Sequence, residues 1–191
     1  TGDVYVFTAN IYNHSVVVER SNIIIKGGGY ALQGFGSGCG FNLTHVRNVT
    51  IEDTSVSGFY HGIYTSHSNE NSIIRNDITH NFNGVYLYYS NYCKIKDNKA
   101  NNNTNCGIHM LQSRNCFIWR NNANNNGHEG IKLEEYSNNN TILENEAFNG
   151  SYAISLYYSS YCLISSNYVA NNKFGIQLSS SSCCSISNNN S

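Results

Sequence analysis

Residues 106–122 read CGIHMLQSRNCFIWRNN. Ile108 and Met110 alternate with Gly107 and His109. After the polar turn Ser113-Arg114-Asn115, Cys116 and Ile118 alternate with Phe117 and Trp119, and the chain then runs into asparagines. Alternation with a period of two, bounded by Asn and Ser, marks two short β-strands rather than a helix.

The same pattern recurs along the chain. Gly40-Phe41, Gly62-Ile63, Gly84-Val85, Gly107-Ile108, Gly130-Ile131, Ala153-Ile154 and Gly175-Ile176 are separated by 22, 22, 23, 23, 23 and 22 residues. A second apolar anchor follows in each unit: Ile51, Ile74, Ile95, Ile118, Leu143, Ile164 and Ile186. A serine recurs between the two strands (Ser68, Ser90, Ser113, Ser137, Ser159, Ser181), and a polar residue follows the second (Asp53, Asn76, Asn98, Asn121, Asn145, Asn167, Asn189). A third short strand, near Val56, Ile78, Ala100, Ala123, Ala147 and Val169, completes the unit. Fixed-period self-similarity without a helix-length segment predicts an all-β fold. The expected fold is a single-stranded right-handed parallel β-helix of about eight rungs, one domain over residues 1–191. Residues 1–39 are expected to form an N-terminal cap and the first rung, and residues 40–191 the regular rungs. At ~4.8 Å per rung, such a rod is on the order of 35–40 Å long.

Composition narrows the function. The 191 residues carry 11 Lys+Arg and 12 Asp+Glu, a formal net charge of −1. That balance gives no electrostatic reason to expect nucleic acid or an anionic membrane. No apolar run is long enough for a transmembrane helix. The chain opens on Thr1 without an initiator Met, which reads as a processed or excised form. Proline is absent, as suits internal strands that each need their N–H. The glycine-rich 27–40 stretch lacks the Lys-Ser/Thr of a phosphate loop and reads as a turn and third strand.

Four of the seven cysteines, Cys93, Cys116, Cys162 and Cys184, lie two residues before an anchor and are expected in one inward column, with Thr141 between the pairs. Stacked free thiols, disulfides between neighbouring rungs and a soft-metal site are the open readings of that column; free thiols are favoured, and no metal or cofactor is expected. The outward column beside the first strand reads Asn42, Tyr64, Tyr86, His109, Lys132, Ser155, Gln177, with Tyr88, Tyr89, Glu134, Glu135, Tyr157 and Tyr158 nearby. Aromatics beside amides and carboxylates suit sugar rings, contact with another subunit, or an ordinary solvated face. Glu129, Glu134 and Glu135 with His109, His128 and Lys132 form the charged cluster of the chain. Asn13, Asn42, Asn48, Asn102, Asn139, Asn149 and Asn189 head Asn-X-Ser/Thr sequons, of which Asn102 and Asn149 fall in turns.

The opening GDVYVFTANIYNHSVVVERSNIIIKGGGYALQG and the N-x-I-x-x-N, G-I-x-L and Y-S-N-x steps resemble the parallel β-helix repeats of NosD-type and carbohydrate-binding and sugar hydrolase domains. The resemblance covers the whole chain and looks most like archaeal secreted or surface proteins. It implies the fold more than an activity, and the copper delivery known for NosD carries over to no residue here. The paired-Asp and Gly-His-Gly motifs of pectin hydrolases are absent, as is the Asp-Pro-His-Asp of alginate-type epimerases. The expected function is therefore structural: an extracellular or cell-surface solenoid that self-associates into a filament, sheath or surface layer. The alternative is a carbohydrate-binding module or polysaccharide-active β-helix enzyme.

Overall fold

A computed structural model describes residues 2–191. The chain winds as a parallel β-helix whose strands fall into three sheets of nine, eight and four strands. The nine-stranded sheet runs from Asp3–Val6 through Lys94–Lys96 and Phe117–Trp119 to Ser185–Ser187. The eight-stranded sheet runs from Val16–Val18 through Asn83–Tyr88, Ile108–Leu111 and Glu129–Glu134 to Phe174–Ser179. The third wall is regular only up to Asp77–Thr79; beyond it, single bridges through Lys99, Asn122, Glu146, Tyr168 and Asn190 continue it. At the N-terminal end, Asp3–Val6 pairs in register with Ile23–Lys26.

Each coil sends apolar residues inward from all three walls. Phe41, Ile63, Val85, Ile108, Ile131 and Ile154 are fully buried on the eight-stranded wall, as are Val56, Ile78 and Ala100 on the short one. On the nine-stranded wall the inward column is Ile51, Ile73, Ile95, Ile118, Ile142, Ile164 and Ile186. Two anchors assigned from spacing shift by one residue. Ile74 pairs with Glu52 and Lys96 on the outer face, and Leu143 pairs with Trp119 there. In both cases two apolar residues stand side by side, and a slip of one exchanges faces.

Buried side chains stitch the corners. Asn76, Asn98, Asn121, Asn145, Asn167 and Asn189 form one ladder: each Oδ1 accepts the backbone N–H of the equivalent residue one coil earlier. Each Nδ2 donates to a carbonyl of that earlier coil, from Ile51 to Ile164. Thr54, not Asp53, begins this ladder; Asp53 occupies the adjoining left-handed turn at φ 54°. A serine ladder runs from Ser68 through Ser90 and Ser113 to Ser137. A further asparagine ladder through Asn81, Asn103 and Asn126 closes the third corner. These groups meet the requirement that buried polar atoms be hydrogen-bonded.

The predicted cysteine column is present with one substitution. Cys93, Cys116 and Cys162 are buried and Cys184 is partly so, but Asn140, not Thr141, stands between the pairs. The coil carries one extra residue there, and Thr141 pairs with Phe117 on the outer face.

Candidate polysaccharide-binding face

Gly62, Gly84, Gly107 and Gly130 sit where strands of the eight-stranded wall begin. A Cβ on Gly107 would lie 2.7 Å from the carbonyl oxygens of Ala100 and Gly130, so the close approach of neighbouring coils requires glycine. The predicted outward column is confirmed in register: Asn42, Tyr64, Tyr86, His109, Lys132, Ser155 and Gln177 stand one above another. Glu129, Tyr152 and Phe174 stand on one side of it, Tyr88, Leu111, Glu134 and Tyr157 on the other.

Charge gathers at the middle of this face. Lys132 Nζ is 3.0 Å from Glu134 Oε1 and 3.8 Å from Glu129 Oε1. His109 Nε2 meets Glu134 Oε2 at 2.8 Å, and His128 Nδ1 meets Glu129 Oε2 at 2.8 Å. Cys106 Sγ donates to Glu129 Oε2 at 3.2 Å, and burial beside that carboxylate pushes the thiol well above its ordinary range. The hydrogen bond from His109, opposed by burial and joined by Lys132, holds the Glu134 carboxyl down at about 2. Burial works against the Lys132 ammonium, but Glu134 and Glu129 outweigh it and raise its pKa. Both carboxylate and ammonium of this pair stay ionised across ordinary pH.

His128, Glu129, Lys132 and Glu134 of this cluster help to line a depression of about 260 Å³. Its floor is Lys132, Ser155 and Gln177, and Tyr152 and Tyr157 stand over it from the two flanking columns. Tyr152 stacks on Phe174 with ring centres 4.8 Å apart, which fixes its plane; Tyr157 packs edge-on against Tyr158 at 4.4 Å and is 44% exposed. Tyr152 was not singled out from the sequence. Its position in the glycine-flanking column, level with Glu129, was the available signal.

Toward the other end, His61, Tyr64 and Tyr86 form a stacked cluster with centres 4.5 to 5.8 Å apart. Burial, with the nearby His109, lowers His61 to about 4, and burial raises Tyr86 to about 12. The His61 and Tyr86 rings are uncharged at neutral pH. The remaining predicted residues, Tyr89, Glu135 and Tyr158, lie one step off this face, in left-handed turns at φ 46°, 45° and 49°. Asn13, Asn48, Asn102, Asn139 and Asn149 also occupy exposed left-handed turns, whereas Asn42 is half-buried in a strand and Asn189 closes a ladder.

The cysteine column has the chemistry of packing. Cys93 N–H donates to Cys116 Sγ and Cys162 N–H to Cys184 Sγ, both at 3.4 Å. The thiols in turn face backbone carbonyls at 3.4 to 3.6 Å. The Cys93 contact and burial push Cys116 far upward, and burial raises Cys162 to about 11. Among the described residues, no three His, Cys, Asp or Glu side chains are grouped as a metal would need.

The NosD family model, described as periplasmic copper-binding protein, matches residues 11–190. No curated protein matches the sequence. Among solved structures, the periplasmic alginate epimerase AlgG is similar at TM-score 0.84 and 20% identity, over 94% of this chain and 47% of AlgG. The A-module of the Azotobacter vinelandii mannuronan C-5 epimerase AlgE6 is similar at TM-score 0.77 and 13% identity, over 98% of this chain and 58% of the module. An alginate lyase from Paenibacillus sp. str. FPU-7 is similar at TM-score 0.62 and 13% identity, over 100% of this chain and 93% of the lyase. The chain thus spans about half the length of AlgG, and these likenesses establish the β-helix fold. Copper does not fit the residues present: the thiols stack as ladder members interrupted by Asn140, the thiolate forms of Cys116 and Cys162 are disfavoured, and among the described residues no third donor is grouped beside them. By its match over nearly the whole solenoid, the chain belongs to the NosD family of parallel β-helix proteins.

Proposed function

We propose that this chain is an extracytoplasmic, polysaccharide-binding β-helix whose ligand lies along the outer face of the eight-stranded wall. The observation that carries this reading is the depression walled by Tyr152 and Tyr157 over a floor of Lys132, Ser155 and Gln177. Tyrosine rings offer apolar faces to sugar C–H groups, and short polar side chains between them match hydroxyls. The strands run across the rod, so equivalent side chains repeat every ~4.8 Å along its axis, which suits a repeating ligand. Two further observations support the proposal: solved structures of similar fold include alginate epimerases and an alginate lyase, and the family it belongs to is described as periplasmic. Glycan-array screening followed by calorimetry tests it. Binding that is lost in Tyr157→Ala, with the fold intact by circular dichroism, supports it; silence at millimolar glycan sinks it.

Self-association is the second reading. Tyr92, Tyr136 and Tyr161 are 63%, 57% and 61% exposed on the corner between the two long walls. Tyrosine is enriched in protein interfaces. Sedimentation of the wild type against a Tyr92→Ser, Tyr136→Ser, Tyr161→Ser triple variant decides it, since a monomer at all concentrations removes this reading.

A further inference from the structure

Resting on the glycan-binding reading, we propose that Glu134 sets the ligand class of the depression: it selects an uncharged sugar polymer and turns away a polyuronate. Lys132 is the only permanent cation among the described residues lining the depression. Its ammonium is already matched by two carboxylates, Glu134 at 3.0 Å and Glu129 at 3.8 Å. His128 and His109 are likewise turned onto Glu129 and Glu134, each at 2.8 Å. One lysine facing two glutamates leaves the floor with an excess negative charge whenever the imidazoles are neutral. A carboxylate on the ligand would meet Glu129 and Glu134 with no unpaired cation to receive it, and like charges set close together cost several kcal/mol in a binding site.

Glu134 itself stays ionised near neutrality, held at about 2. Beside these ion pairs the lining offers the exposed Gln177 amide, the Tyr157 ring at 44% exposure, the Ser155 hydroxyl at the floor and the part of the Tyr152 ring that Phe174 leaves uncovered. Those groups pair with hydroxyls and ring C–H faces, the chemistry of neutral hexose chains. This sets the chain apart from the alginate epimerase and alginate lyase that share its fold.

The experiment compares wild type, Glu134→Gln and the Glu134→Gln/Lys132→Gln double variant. The probes are neutral oligosaccharides (cellohexaose, mannohexaose) and matched oligouronates (galacturonate and mannuronate hexamers), titrated at low and at physiological salt. The wild type is expected to bind a neutral oligomer at least about tenfold more tightly than either uronate, and Glu134→Gln to narrow that ratio by about tenfold. The double variant, lacking the freed ammonium, should lose the gain. Thermal unfolding of each variant reports that the fold is retained. A wild type that prefers uronates, or a ratio unchanged in folded Glu134→Gln, overturns this inference and leaves glycan binding standing. Silence of the wild type toward every sugar overturns the glycan reading itself, and this inference with it.

Discussion

His109 Nε2 and Glu134 Oε2 lie 2.8 Å apart, although the two residues are 25 positions distant in sequence and belong to neighbouring coils. This contact is the largest of the causes that hold the Glu134 carboxyl at about 2, against an ordinary value of 4.5. The folded state therefore favours the ionised form. Its contribution is complete above the ordinary value and fades as pH falls from about 4.5 toward about 2. Because the side chain is 25% exposed, solvent screening trims the effect to about 1–2 kcal/mol. Urea unfolding of wild type and Glu134→Gln between these pH values should show a falling midpoint for the first and a flatter one for the second. Parallel curves would mean that the contact adds nothing to stability.

The asparagine ladder makes a sharper demand. Asn121 accepts from Asn98 N–H at 3.0 Å and donates to Ile95 O and Asn145 Oδ1 at 2.9 and 3.0 Å, all in the core of the rod. Asn121→Ala leaves at least two buried backbone groups without partners, so a loss of about 2–4 kcal/mol is expected in denaturant melts. Half-buried Asn101 on the neighbouring turn accepts Asn124 N–H at 2.7 Å, so as the control Asn101→Ala should cost less, about 1 kcal/mol.

Cys116 holds a place that Asn71 and Asn140 hold on other coils: Val49 N–H donates to Asn71 Oδ1, Cys93 N–H to Cys116 Sγ, and Cys116 N–H to Asn140 Oδ1. Cys116→Asn keeps an acceptor in the column, whereas Cys116→Val removes it. The valine variant should be less stable than the asparagine variant by about 1–3 kcal/mol, the cost of an unpaired buried N–H. Equal stabilities would show that the sulfur accepts no bond of consequence.

Thiol labelling separates the seven cysteines. Cys183 is exposed, whereas burial raises Cys39 and Cys162 to about 11 and drives Cys106 and Cys116 upward as well. Since the thiolate is the reacting species, native protein treated with iodoacetamide near neutral pH should be modified first at Cys183, and the buried thiols only after unfolding. Rapid native labelling of Cys93 or Cys116, read by peptide mass, would contradict the packed column.

Adding a methyl group at Gly107 tests the close approach of coils. The new Cβ would lie 2.7 Å from two carbonyl oxygens and from Asn126 Nδ2. Two of these atoms are backbone and cannot swing away, so Gly107→Ala should cost about 1–3 kcal/mol. A melt unchanged from wild type would mean that the coils can separate locally.

The fold was legible because its signals are local and repeated. Every coil restates the same alternation, so an error in one is outvoted by the others. The mistakes fell where that redundancy failed: Ile73-Ile74 and Ile142-Leu143 offer two apolar candidates each, and only pairing with Glu52, Lys96 and Trp119 tells which faces out. The outward column from Asn42 to Gln177 could be read for the same reason as the core. Tyr152 and the Asn81–Asn103–Asn126 ladder could not, because their partners are fixed by how turns of unequal length bring corners together. Charge pairing was equally hidden. Spacing placed Glu129, Lys132 and Glu134 on one strand, but only the folded strand showed Lys132 shared between the two carboxylates, and only the coil-to-coil contact showed His109 on Glu134.

Each ladder asparagine clasps the coil before it, taking an N–H from that coil and giving its amide hydrogens to a carbonyl there. The rod thus has a direction and a unit of length. Its size can change only in whole turns: excising one turn of 22 residues, such as the step from Asn145 to Asn167, leaves every clasp with an equivalent partner. Removing half a turn leaves the cores and corners of the two remaining pieces facing the wrong walls. In that sense the molecule is measured in integers, and its outer face lengthens or shortens by one rung at a time.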